Sequence, residues 1–394
     1  MSSSANPKHT HVKFWRDPAK RALLFQAVLL TAVAGAIWFI VDNTLTNLAT
    51  RGITTGFGFL DDPAGFAIAQ SLIPYTETDT YGRTFVVGLL NTLLVSFLGI
   101  IGATLLGFII GVARLSPNWL IRKLASAYVE IFRNLPLLLQ MFFWYFAVLR
   151  ALPAPRNSLN INDSIFLNVR GLYLPEPVAG GGFHLVWLAL LLAVTISVWL
   201  FRFNHRRQDA TGKRLPVWSL SLGLVIGLPG LLFLLLGAPL SWNYPELVGF
   251  NFRGGMTIIP EFLALWLSLT IYTAAFIAEI VRSGIQAISH GQTEAAHALG
   301  IKDSLTLRLV IIPQAMRVII PPLTSQYLNL TKNSSLATAI GYPDLVSVFA
   351  GTTLNQTGQA IEVIAITMLV YLTISLTVSF FMNWFNSRMA LVER

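Results

Sequence analysis

Apolar runs long enough to cross a bilayer recur along the chain, separated by shorter stretches where prolines, glycines and charges collect. The first, 22–41, is free of charge and follows a polar tail carrying Lys8, Lys13, Arg16, Lys20 and Arg21. It is longer than the apolar core of a secretory signal and no convincing small-residue cleavage site follows, so a retained helix is expected. Further spans are expected at 84–113, 125–149, 184–201, 216–238, 257–281, from about 314 onward, and at 361–385, about eight in all. Pro136 predicts a kink or break in the third, Pro229 with Gly230 a bend in the fifth, and Pro321 with Pro322 a distortion in the seventh. Residues 42–83 fit either a segment lying along the membrane surface or a plain connecting loop. Residues 150–183, with four prolines and the run Gly180 to Gly182, read as an irregular external cap, and 239–256 as a second external segment.

Small and polar positions inside the spans carry their own pattern. Gly99, Ala103, Gly107 and Gly111 recur every four residues and place a groove on one face of the second helix, which suits close packing of another helix. Glu130 and Arg133, three apart, are expected to pair near the cytoplasmic end of the third span. Past the paired prolines, Gln326, Asn329 and Asn333 share one helical face, with Lys332, Ser334 and Ser335 beside it. A polar stripe in an apolar span is costly unless it faces water or a partner. This one either walls a translocation path or satisfies backbone and helix neighbours around the prolines. Amides and hydroxyls serve both a carboxylate and an ammonium, which is compatible with a zwitterionic solute without selecting one.

The polar island 289–313 lies between two apolar spans. Ser289 and Gln292 fit a capping box that starts a helix at His290, and Ala295, Ala296 and Ala298 favour its growth. Gly300 can end it in the left-handed conformation; Asp303 then caps a second short helix, which Pro313 limits.

Composition narrows the class. Hydrophobic residues make up 54% and charged residues 11% of the chain, against roughly 25% charged in soluble domains, so an integral membrane protein is expected. There is no cysteine, which excludes disulfides and thiolate chemistry. The net charge of +9 reflects topology rather than nucleic-acid binding: about 19 of the 27 Lys and Arg residues fall in segments on one side of the spans. That side is the cytoplasm, so both termini and 289–313 are expected there. The six histidines form no ligand pair, and no phosphate-binding loop of the type G-x-x-x-x-G-K-[ST] occurs, so ATP hydrolysis would belong to another chain.

Glu294-Ala295-Ala296, then Gly300, then Val310-Ile311-Ile312-Pro313 resembles the EAA signature of ABC importer permeases, with Val310 and Ile312 as conservative departures. The segments 278–285 and 331–336 resemble the polar amino-acid (histidine/glutamine-type) branch of that family. So does 133–140, with Asn134-Leu135 in place of Gly-Thr. The extra first span, the inserted fourth and fifth spans, and the stretches 88–93 and 354–362 resemble the Q-type permease of the general L-amino-acid uptake system.

The resemblance implies an all-α polytopic protein of the bacterial inner membrane with a five-helix type I ABC importer permease core. Its division would be a cytoplasmic tail (1–21), an extra helix with an external segment (22–83), and a permease domain (84–388). Within the last, the core is 84–150 plus 257–388, the inserted helix pair 184–238 and the coupling loop 284–313. It implies an ATP-driven, binding-protein-dependent importer of polar L-amino acids. The implied partners are a homologous M-type permease, two copies of an ABC ATPase that holds ATP and Mg, a periplasmic amino-acid-binding protein and membrane lipid. It assigns ATPase coupling to Glu294, Ala295, Ala296, Gly300 and Pro313, and the path to Gln326, Asn329, Lys332, Asn333, Ser334 and Ser335. No catalytic, cofactor or metal residue is implied in this chain. The rival is an ion-gradient-driven secondary amino-acid transporter. It needs acidic sites deep in the helices, whereas Glu130, Glu261, Glu279 and Glu362 lie near helix ends and no internal repeat is evident.

Overall fold

Two helices, α2 (Tyr81–Ala113) and α7 (Pro260–Gln286), form the axis on which the rest is built. The glycines of α2 explain why they meet so closely. A Cβ at Gly107 would lie 2.6 Å from the Ile277 side chain, and one at Gly111 would lie 2.8 Å from the Ala278 carbonyl oxygen. The small-residue groove therefore takes α7, whose Ala274, Ala275 and Ala278 are fully buried. The computed structural model describes residues 18–50, 55–212 and 215–389. Residues 1–17 of the basic tail, 51–54, Lys213, Arg214 and 390–394 lie outside them.

Among the described residues, seven helices are long and apolar enough to cross a membrane, or eight if a bent pair counts as one span. That pair is the third span. Of the kink or break expected at Pro136 the chain takes the break: α3 (Trp119–Asn134) and α4 (Leu137–Phe142, continued as a π-helix Phe143–Leu149) meet at 106° around Leu135 and Pro136. Both break residues are extended, and the Gln140 side chain donates to the carbonyls of Phe132 and Leu135 (each 3.0 Å), binding groups the missing turn leaves open.

The seventh span corrects its expected start. From α9 (Asp303–Thr306) the chain passes through a π-helical turn (Leu307–Ile311) into α10 (Ile312–Asn333) and a 3₁₀ segment (Ser334–Ile340). Pro313 sits in the first turn of α10 and does not end the helix, because its missing N–H is tolerated there and the wide π turn gives its ring room. Pro321 and Pro322 lie within α10, which remains helical through them.

The chain then returns inward. A buried π-helix (Val346–Thr353) and α11 (Leu354–Thr357) lead to α12 (Ala360–Met389). Tyr342, Leu345 and Phe349 are fully buried, and Asn91 of α2 donates to the Pro343 carbonyl (2.9 Å). Neither this return nor its buried Asp344, which accepts from the Ser347 N–H (2.8 Å), was signalled by hydropathy.

The segment after α1 (Pro18–Thr50) folds back onto the core as a plug at two of its residues. Phe59 and Ala64 are buried, Phe59 packs beside Tyr81 and Phe349, and the Gly56 N–H donates to Glu362 of α12 (2.7 Å). The external cap is likewise regular. Strands β1 (Leu159–Ile161), β2 (Ile165–Asn168) and β3 (Gly171–Leu174) pair antiparallel in sequence, and β3 pairs with β8 (Met256–Ile258). Strands β4 (Glu176–Ala179) and β5 (Leu240–Asn243) form a ribbon, and β6 (Glu246–Val248) pairs with β7 (Asn251–Arg253). Phe252 fills the junction, its ring 4.5 Å from Phe166 and 4.8 Å from Tyr173. The ribbon leads into the hairpin of α5 (Phe183–Thr211) and α6 (Val217–Leu235). Because α5 runs on to Thr211, Arg202, Arg206 and Arg207 lie on that helix.

Candidate functional site

The bent loop after α7 forms as two helices joined at a glycine. Ser289 is extended and caps α8 (His290–Ala298) by position only, without a side-chain bond. The expected capping box is absent because the Gln292 side chain reaches the other way, accepting from Gln314 of α10 (3.1 Å). At the far end Gly300 has φ +73°, its N–H bonds the His297 carbonyl (2.8 Å), and the Ile301 N–H bonds the Ala296 carbonyl (3.1 Å). These two bonds are the Schellman pattern, which satisfies carbonyls a helix end would otherwise leave open. Lys302, not Asp303, holds the cap position of α9; the Asp303 carboxylate instead meets His297 Nε2 at 2.7 Å, tying the two short helices together.

One face of this element is anchored and the other is open. Ala296 is buried, and α8 packs against Leu307–Ile311. Glu294 and Ala295 are exposed, the Glu294 carboxylate meeting only His290 (3.3 Å), and Leu299 is 79% exposed. A bare leucine and an exposed carboxylate on a bent helix pair offer a surface for a partner.

Above the loop, Glu279 gathers charges from three helices. Its carboxylate accepts from Arg114 at the end of α2 and from Arg282 (2.5 Å), with Arg133 of α3 at 3.9 Å. The expected Glu130–Arg133 pair does not form. Arg133 instead lies over the Phe276 ring, 5.3 Å from its centre, and the Glu130 carbonyl accepts from the Asn134 side chain. The spacing Glu279–Arg282 was a readable hint, but the arrival of Arg114 required the α2–α7 contact.

The polar stripe divides. Gln326, Asn329 and Asn333 line a cavity of about 260 Å³ closed on the other side by Tyr272, Thr273 and Phe276. Lys332 and Ser335 face a second cavity of about 500 Å³, with Thr367, Met368 and Tyr371 opposite. Ser334 reaches neither; it is fully buried and donates to the Thr331 carbonyl (2.7 Å). Among the described residues, the side chains of Gln326, Asn329 and Asn333 bond no backbone group near Pro321 and Pro322. No group of three or more acidic or histidine residues suited to a metal ion is present among the described residues.

Comparison with known proteins agrees with this geometry. Residues 214–391 match the family model described as the binding-protein-dependent transport system inner membrane component. YhdX of Escherichia coli (strain K12), named as an amino-acid ABC transporter permease, is 61% identical, over 96% of both chains. The general L-amino acid transport system permease protein AapQ of Rhizobium johnstonii is 52% identical, over 96% of this chain and 94% of its own. The glutamate/glutamine/aspartate/asparagine transport system permease protein BztB of Rhodobacter capsulatus is 45% identical, over 96% of both. With relatives this similar over nearly its whole length, and with apolar helices packed around a glycine-lined axis, the chain belongs to the amino-acid ABC transporter permeases.

Proposed function

We propose that this chain is the Q-type permease subunit of an ATP-driven, binding-protein-dependent importer of polar L-amino acids in the bacterial inner membrane. Its permease domain is 84–388, with core segments 84–150 and 257–388, an inserted pair at 184–238 and the coupling loop at 284–313. Both termini and that loop face the cytoplasm, where two copies of an ABC ATPase hold ATP and Mg; a homologous M-type permease completes the path and a periplasmic amino-acid-binding protein delivers the solute.

The observation that carries the reading is the bent, half-open helix pair at Gly300. Glu294, Ala295 and Gly300 form the contact and bend, Ala296 anchors the pair, and Pro313 lies where the loop passes into the long helix. Movement of α8 is transmitted to α10 through the π turn and through the Gln292–Gln314 bond, because packed elements shift between discrete arrangements rather than deform. The path runs beside Gln326, Asn329, Lys332 and Asn333, with Ser335 at the second cavity and Ser334 holding the backbone behind them.

The test is uptake by proteoliposomes containing both permeases and the ATPase, with binding protein outside and ATP inside. The proposal expects vanadate-sensitive uptake that requires the binding protein. Uptake abolished by ionophores and independent of ATP would favour the gradient-driven alternative.

A further inference from the structure

We propose that the turn end of the α5–α6 hairpin is a binding site for anionic phospholipid, held through Arg202 and Arg206. The hairpin is an arm. Its two helices pack chiefly on each other, and little of either apolar span is buried. Leu188, Leu191, Leu222, Ile226 and Leu231 are each more than half exposed. Apolar faces of this extent on a membrane-spanning pair meet acyl chains, so the polar groups at its end meet headgroups.

Depth places the two arginines among those headgroups. The helix α5 leaves the β strands at Phe183, and at 1.5 Å per residue it has risen about 29 Å by Arg202, close to the ~30 Å of a hydrocarbon core. Arg206 follows on the same face one turn later, about 6 Å further out. Both are exposed and have no ion-pair partner among the described residues. Aromatic rings mark the same level: Trp199 is 59% and Trp218 81% exposed. Phe203 stacks on Trp199 (5.2 Å between centroids), and Phe201 meets Trp218 edge-on (5.1 Å). Exposed tryptophans favour the boundary between tails and headgroups. The Asn204 side chain accepts from the Leu215 N–H (2.9 Å), which ties the end of α5 to the approach to α6 and holds the arginines beside these rings.

Charge selects the class of lipid. Residues 202–214 hold five Lys and Arg against one acid. That acid, Asp209, lies about 10 Å beyond Arg202 along the helix and meets His205 (3.6 Å). A guanidinium binds a phosphate through two parallel bonds. In a zwitterionic lipid the phosphate carries its own ammonium, which the arginines repel; a headgroup without one keeps the full attraction. Orienting the hairpin requires cations near its turn, but not two bare guanidiniums a turn apart at phosphate depth beside interfacial rings.

The experiment uses the permease–ATPase complex in phosphatidylcholine nanodiscs. The chain has no cysteine, so Ser219→Cys, at an exposed position next to Trp218, carries a single fluorophore. Quenching is compared for phosphatidylglycerol and phosphatidylcholine, each added in small amounts with a spin label high on the acyl chain. Phosphatidylglycerol should quench at about fivefold lower mole fraction, the size of one arginine's attraction to an anionic surface, and the preference should shrink as salt is raised. Arg202→Gln with Arg206→Gln should bring the two lipids level while leaving quenching by phosphatidylcholine unchanged, which shows that the arm still lies in the bilayer. Arg202→Lys with Arg206→Lys should keep most of the preference. Equal quenching by both lipids without the arginine substitutions overturns the proposal; if the double Gln variant also loses its ATPase on purification, the surface belongs to that protein instead. A preference that survives the double Gln variant, or one that the double Lys variant abolishes, overturns the assignment to these charges.

Discussion

At Gly107 a side chain has nowhere to go: its Cβ would sit 2.6 Å from Ile277 and 3.0 Å from the Ala274 carbonyl oxygen. Gly107→Leu should therefore push α2 off α7 and destabilise the complex by about 1–3 kcal/mol, read as a lower unfolding temperature in detergent. Glu279 is the opposite case, a residue that joins elements by charge. Glu279→Gln leaves Arg114, Arg133 and Arg282 facing one another without their carboxylate. We expect a loss of about 2 kcal/mol in the same measurement. An unchanged unfolding temperature would mean that the cluster is solvated and contributes little. The hub shows what residue spacing can hide. Glu130 and Arg133 had the right separation to pair, but Arg133 found an aromatic ring and a carboxylate on another helix. Local spacing speaks only for groups that no tertiary neighbour claims.

The element that matters most is the Gly300 bend. With φ +73° it sits where proline, held near −65°, cannot, and its N–H is bonded to His297. Gly300→Pro should lower uptake strongly while the protein still inserts and the ATPase still hydrolyses ATP; normal transport by this variant would contradict the lever. Much of this element was readable beforehand: the start at His290, the alanine-rich turn and the left-handed glycine all follow from local chemistry. Its continuation was not. Pro313 signals a stop in isolation, yet a π turn upstream accommodates it and carries the helix on to Asn333. At Pro136, which signals a kink or a break, the chain makes a corner, because Leu135 and Pro136 are both extended and Gln140 binds the opened carbonyls. Hydropathy gave the spans, since length and apolarity need no partner. The inward return through Tyr342 and Phe349, the plug around Phe59 and the β strands depend on contacts far apart in sequence.

For the whole molecule, the proposed division into a permease core and an inserted arm makes a direct prediction. Leu174 of β3 and Met256 of β8 are register partners, so the segment 175–255 departs and returns at adjacent points. Replacing 175–255 by a short turn should leave a shortened permease that assembles with its ATPase. It should be somewhat less stable through loss of the Phe252 packing between Phe166 and Tyr173. Co-purification checks this, and failure of the shortened chain to assemble would show that α5 and α6 belong to the core. The central claim is that the Gly300 element passes motion from a separate ATPase into the bundle. Because the chain has no cysteine, Leu299, an exposed side chain of that bend, can be replaced by a single cysteine and cross-linked in inverted inner-membrane vesicles. The account predicts an adduct with the ATPase whose yield changes when ATP is supplied; an adduct with the periplasmic binding protein, or none with the ATPase in vesicles that transport, would contradict it.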